Sequence, residues 1–231
     1  MSYNFQLQQL QAALFTPGID LSKPLNIAQG LISATGNLFD GQPIMLPIPL
    51  DAPPEIPRII VKNARGTYTC NVSKNRIDFI FSAKDTPLTL KDGSDKFLNH
   101  LLTLADFLRS SFKISINRVG TIGTLLLTLQ ESSNKFIPAK FLKEHLFGDT
   151  YEIQFGMLKK VPLAGYEANC WFKMNTLRNT KDLADDRGML ITFDINTQQE
   201  ATYDLNKDQI GLFFNSAIKY VEESLKIYFM E

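Results

Sequence analysis

Two stretches of this chain alternate apolar and polar residues with period two, and each is followed by an amphipathic run with helical period. In the first stretch, residues 59–62, Tyr68-Cys70-Val72 and Ile77-Phe79-Phe81 read as three short antiparallel strands. Turns at Ala64-Arg65-Gly66 and Ser73-Lys74-Asn75 make a meander their simplest topology. In the second, Tyr151-Ile153-Phe155-Met157, Tyr166-Ala168-Cys170-Phe172-Met174 and Met189-Ile191-Phe193-Ile195 each bury one face. The helix after the first triple carries the stripe Phe97, Leu101, Leu104 and Leu108, with Ser94 as its expected N-cap. The helix after the second carries Ile210, Phe213, Phe214, Ala217, Val221, Leu225 and Tyr228, capped by Asn206 with Gln209 three residues on. Both helices must cover a sheet face.

A strand and a helix precede each triple. They are expected at about 4–15 and 26–38 in the first half, and at 113–130 and 138–147 in the second, with the strand interrupted at Gly120 and Gly123. The expected fold is therefore α+β, antiparallel sheets with covering helices, in which a β-α-β-β-β-α unit is duplicated. Residues 1–112 form one half and 113–231 the other, fused into one compact unit. Lys96-Phe97-Leu98-Asn99 echoes Leu212-Phe213-Phe214-Asn215 at the start of the two helices. Where the first half turns in three residues, 73–75, the second has an insertion at 176–188.

Eight of the eleven prolines lie at or before Pro57. Between residues 42 and 57 they interleave with Ile44, Leu46, Ile48 and Leu50, which suits an extended strap packed on the core and rules out a central strand. A proline ligand for a partner's aromatic groove fits the interleaved Ile and Leu less well.

Composition narrows the setting. The 231 residues are 44% apolar, enough for a sizeable core, and 24 basic side chains balance 24 acidic ones, so no global field gathers nucleic acid or anionic membrane. Cys70 and Cys170 lie in apolar alternating runs, which suits a reducing compartment. No run approaches the roughly 20 apolar residues of a membrane helix, and the opening Met-Ser-Tyr-Asn-Phe-Gln lacks a signal's charged and apolar regions. The expectation is a cytoplasmic protein with no membrane association and no cofactor.

Chemistry is sparse in the pattern. His100 and His145 have no histidine at metal-pair spacing, and Cys70 and Cys170 lack the flanking cations or helix N-terminus of a nucleophile. Gly120-Thr121-Ile122-Gly123 has neither a P-loop ending nor a third dinucleotide glycine, and Arg118 beside it reads as a solvated turn residue. Three surface features remain. The single tryptophan, Trp171, alternates outward with Asn169 and Lys173; with Arg178, Asp185, Asp186 and Arg187 of the inserted loop it makes a candidate partner-binding set. Arg58, Lys62, Arg65, Lys74 and Arg76 form a basic run opposed only by Asp78, the candidate edge for nucleic acid. Glu152, Glu167 and Asp194, with Asp185 and Asp186, would serve a metal-dependent hydrolase if they converged near Lys173. The leading expectation is a non-enzymatic binding or assembly module for a protein partner, self-association included; nucleic-acid binding and metal-dependent hydrolysis are the alternatives.

Overall fold

The computed structural model describes residues 3–49, 51–84, 87–142, 152–177, 186–199 and 203–230. These form a mixed α+β fold of nine antiparallel strands in one sheet and four helices. The first half comprises β1 (Phe5–Phe15), α1 (Pro24–Ala34), β2 (Ile44–Met45), β3 (Ile59–Lys62), β4 (Tyr68–Val72), β5 (Arg76–Ser82) and α2 (Leu90–Phe112). The second comprises β6 (Arg118–Thr128), α3 (Ser133–Phe141), β7 (Gln154–Leu163), β8 (Tyr166–Leu177), β9 (Gly188–Thr197) and α4 (Lys207–Met230).

The strand order is β2-β3-β4-β5-β1-β6-β9-β8-β7, and the halves join where β1 pairs with β6. Outward from that seam the sheet reads β1, β5, β4, β3 on one side and β6, β9, β8, β7 on the other. The expected meander of the first half is present, and β7, β8 and β9 form a second one. Matching order is a property of topology; common ancestry of the halves is a separate question.

Alternation gives the sheet two unlike faces. Leu10, Ile77, Phe79, Cys70, Leu125, Ile191, Phe193, Cys170 and Phe172 point to one side and are buried there in a single hydrophobic cluster with α2 and α4. Phe97 of α2 stacks on Phe79 of β5 at 4.7 Å and on Phe214 of α4 at 5.5 Å, so the cluster crosses from one half to the other. The opposite side chains, among them Gln11, Ile122, Asp194 and Trp171, are half-buried or exposed. No described helix is long and apolar enough to cross a membrane.

Several expectations about elements are corrected. β6 is unbroken, because Gly120 and Gly123 are there for packing: a Cβ at Gly123 would lie 2.2 Å from the Phe193 ring. Arg118 begins that strand and its guanidinium carbon sits 4.3 Å above the Phe15 ring. α2 starts at Leu90, capped by Thr89, whose hydroxyl accepts from the Asp92 N–H at 3.1 Å. Ser94 is buried inside the helix and donates to the Lys91 carbonyl. Asp92-Gly93-Ser94 reads as a turn by propensity, yet Gly93 is what lets the helix lie against Leu7. α3 begins at Ser133, five residues earlier than expected, and carries Pro138 inside it. The Asn206 N–H donates to the Gln209 side-chain oxygen and the Gln209 N–H to that of Asn206, at 2.9 Å each, the expected capping box of α4.

The proline-rich strap contributes β2, a two-residue edge strand on β3, rather than a band packed on the core. Ile44 and Met45 are exposed, while Met45, Leu46 and Ile48 face Ile19 and Leu21 across an open groove of about 570 Å³. Prolines every second or third residue deny this segment a ladder of donors, which limits how much of it can join the sheet.

Candidate protein-docking face

β7, β8 and β9 end the sheet on the side of the second half, and their helix-free face carries Trp171. The register places Leu158 of β7 beside Trp171, Asp194 of β9 on its other side, and Ile122 of β6 beyond. Trp171 is 38% exposed and Leu158 52%, so both present apolar surface that the fold leaves in water. Lys173 lies on the same face, its ammonium 5.4 Å from the Trp171 ring centroid, and Gly156 is its partner on β7. Asn169 pairs with Lys160. Three of the seven expected partner-binding residues, Asn169, Trp171 and Lys173, therefore share one surface.

The loop residues fall elsewhere. Asp186 accepts hydrogen bonds from the Ser132 hydroxyl and from Asn134, and its carbonyl from the Ser133 N–H at 2.9 Å, which fixes it at the start of α3. A carboxylate there also favours the positive end of the helix dipole. The Arg187 carbonyl accepts from the Leu129 N–H at 2.9 Å. These contacts sit beyond Leu177, six residues along β8 from Trp171, or about 20 Å at strand rise. The set does not form a single cluster. Arg178 and Asp185 lie outside the described residues.

The acids do not converge. Glu152 precedes β7, Glu167 opens β8 opposite Pro162, and Asp194 sits near mid-face. Along the hairpin, Glu152 and Glu167 stand at opposite ends, about 30 Å apart by strand rise. Among the described residues no group of three His, Cys, Asp or Glu is placed to hold a metal ion. Asp194 accepts from Asn196 at 3.0 Å, and Asn196 accepts from Arg118 at 2.6 Å, so this acid is part of a polar ladder across the face.

The basic run is divided in the same way. Lys62 and Arg65 lie at one end of the β3–β4 hairpin, and Arg58, Lys74 and Arg76 at the other, where β4 turns into β5. Arg58 donates to the Ile56 carbonyl at 3.0 Å and, at longer range, to those of Pro49 and Ala52, holding the proline segment closed. Arg76 pairs with Asp78 at 2.9 Å; Asp78 is buried and also accepts from Gln11. Burial raises the Asp78 carboxyl above its usual range even against the pull of Arg76. Two of the five cations are thus committed within the fold.

Both thiols are inert. Burial pushes Cys170 up to about 11 and Cys70 further up, so neither is a thiolate near neutrality. His100 packs edge-on against Tyr68 at 5.3 Å, and burial lowers its pKa; His145 lies outside the described residues.

The sequence pattern missed how far β7 runs. Alternation ends at Met157 because Lys159 occupies an inward position, but the strand continues to Leu163. Lys159 reaches over α4, donates to the Tyr228 hydroxyl at 3.2 Å, and is held at about 12 by the Tyr220 and Tyr228 hydroxyls. The signal that identifies this strand as an edge is Lys159-Lys160 followed by Pro162.

No family model matches the chain, and no curated protein matches its sequence. Among solved structures it has a loose likeness to the immunity protein TplEi of the T6SS from Pseudomonas aeruginosa. The form complexed with the "L" peptide is 7% identical over 93% of this chain and 91% of that one, with a TM-score of 0.21. The apo form is 8% identical over 94% and 93%, with a TM-score of 0.16. Superpositions this loose transfer neither fold nor role.

Proposed function

We propose that this chain is a non-enzymatic binding or assembly module of the cytoplasm, and that a protein partner docks on the open face of β7, β8 and β9 around Trp171. The supporting observation is the juxtaposition of Trp171 and Leu158, two large apolar side chains exposed side by side on a sheet face whose other side already buries the core. Tryptophan at the centre of a patch rimmed by Lys160, Lys173 and Asn169 has the composition of an interface hot spot. The experiment is site-specific cross-linking in the source cells, with a benzophenone side chain at position 173, exposed beside Trp171, and, as control, at Asn215, which is exposed on α4. A discrete adduct from 173 that is absent from 215, and that excess unlabelled parent competes but Trp171→Ala does not, is the expected result. Equal labelling from both positions, or equal competition by Trp171→Ala, refutes the reading.

A further inference from the structure

The basic run that the fold divides is rejoined at one end by cations from elsewhere in the chain. A cavity of about 220 Å³ lies where the β3–β4 hairpin turns. It is lined by Arg65 of that hairpin, Lys84 just after β5 and Lys96 of α2, with Thr67 and Ser82 beside them and Phe81 in its apolar part. Three elements distant in sequence each bring one cation to a single small space.

Local hydrogen bonds hold this arrangement. The side-chain oxygen of Asn63 accepts from the Tyr68 N–H at 3.0 Å, which leaves its amide nitrogen to donate to the Thr67 hydroxyl at 2.6 Å. That hydroxyl is an acceptor within the fold, so its own proton is left to donate. The Ser82 N–H donates to the Thr67 carbonyl at 2.8 Å, which holds the two hydroxyl-bearing residues together. Gly66 turns the hairpin with φ of 65°, and the Lys84 ammonium lies 3.2 Å from where a Cβ would stand. Among the described residues Arg65, Lys84 and Lys96 make no side-chain hydrogen bond or ion pair. Carboxylates do stand near: Asp92 one turn before Lys96, Asp95 paired with Lys91 at 3.3 Å, and Asp40, which accepts from the Ala64 N–H at 2.6 Å. Their charge lowers the field around the cavity, but none of them lines it; Asp85 lies outside the described residues.

We infer that this cavity binds a phosphate dianion, free or as the terminal group of a small monoester. The site is separate from the docking face, across the β1–β6 seam from β7, β8 and β9. Like charges that line one cavity repel, and an anion between them relieves the repulsion. A phosphate monoester supplies close to two negative charges at neutral pH and three strong acceptor oxygens, which suits three cations and two hydroxyls; a carboxylate brings one charge on two oxygens. A cavity of about 220 Å³ takes the phosphate and little of what it is attached to. A nucleic-acid strand is the disfavoured ligand, because its diesters carry one charge apiece and call for a continuing stripe of cations. Arg58, Lys74 and Arg76 instead lie at the far end of the hairpin, about 13 Å away along the four residues of β3, with Arg58 and Arg76 engaged in the fold.

The test titrates the full chain with inorganic phosphate at pH 8 and constant low ionic strength, chloride making up the balance, and follows the amide shifts of Gly66, Thr67 and Lys84. A saturable curve with a Kd of about 1 mM is expected, with acetate at least about tenfold weaker. Lys84→Met and Lys96→Met keep the aliphatic stems and should each weaken phosphate about fivefold or more, whereas Lys74→Met, the same loss of charge at the other end of the hairpin, should leave it within about twofold. Thr67→Val should weaken binding and Thr67→Ser restore it, since only the hydroxyl differs in kind. Melting temperatures equal to the parent's check that each variant folds. Glycerol phosphate separates the sources: tighter binding than inorganic phosphate assigns the site to a small ester, weaker binding to the free ion. No saturation at tens of millimolar phosphate overturns the inference, as does acetate binding equally well. Equal weakening by Lys74→Met also overturns it, because the effect would then be the diffuse field of the hairpin. So does an oligothymidine without terminal phosphates that produces the same shifts at lower concentration, which would make this a nucleic-acid surface.

Discussion

Replacing Phe97 by alanine tests whether the two halves share one core. Phe97 belongs to the first half, is fully buried, and lies between the rings of Phe79 and Phe214, the latter on the last helix of the second half. Truncating a buried phenylalanine costs about 3–5 kcal/mol, from lost transfer energy and the cavity left behind. Each aromatic pair contributes about 0.5–1.5 kcal/mol of that beyond area burial. For a chain of this size the loss lowers Tm by roughly 6–20 °C, at about 2–4 °C per kcal/mol. Phe97→Leu keeps most of the volume and costs about 1.5 kcal/mol, which isolates the ring stacking. The assay is urea unfolding followed in parallel by Trp171 fluorescence, which reports only the second half, and by far-ultraviolet circular dichroism, which reports both. One shared core requires both probes to move together to a lower midpoint in a single transition. A Trp171 midpoint that stays in place while circular dichroism splits into two steps would refute the shared core, and a loss below about 1 kcal/mol would refute the packing.

Asp78→Asn should be at least as stable as the parent at pH 7: burial raises the carboxyl's folded pKa above the ordinary 3.8, so the parent is most stable below about 3.8 and loses stability as pH rises through the raised value, and the amide lacks that loss. Urea midpoints at pH 3.5 and 7 measure it; a deficit of more than about 1 kcal/mol for the variant at pH 7 would mean that the Arg76 pair outweighs desolvation. Ala164→Asn should raise stability by about 0.5–1 kcal/mol, because Ala164 holds a φ of 53° that asparagine tolerates better in a two-residue hairpin; an unchanged or lower Tm contradicts this.

Much of the fold was legible because alternation and helical stripes record burial on one side. The strands at 68–72, 76–82 and 188–197 and the stripe from Phe97 to Leu108 all follow from that single fact. What failed were places where a residue serves a neighbour rather than its own element. Gly120 and Gly123 look like breaks but clear space for Asn196 and Phe193, and Gly93 looks like a turn but clears space for Leu7. The strap's Leu46 and Ile48 look like core yet border an open groove, because its prolines leave too few donors to join the sheet at length.

The candidate site was legible to the same degree and for a related reason. Trp171, Lys173 and Asn169 share a face because β-strand alternation is strict, so their grouping follows from sequence alone. Asp186 could not be placed in this way, since its carboxylate answers Ser132 and Asn134 at the start of α3, a contact between residues more than fifty positions apart. β7 was hidden by Lys159, an inward charge that breaks the apolar pattern and is stabilised by Tyr228 from α4. Removing the polar end of that contact makes its role measurable. In a Tyr228→Phe variant Lys159 loses the hydroxyl 3.2 Å away but keeps Tyr220, which contributes more to holding its ammonium. The Lys159 ammonium, raised to about 12 in the parent, should therefore titrate lower in the variant yet remain above the ordinary 10.5. Nitrogen-detected NMR of the lysine side chains across alkaline pH measures it; a titration unchanged from the parent's would mean that the Tyr228 hydroxyl contributes nothing to holding Lys159 over α4.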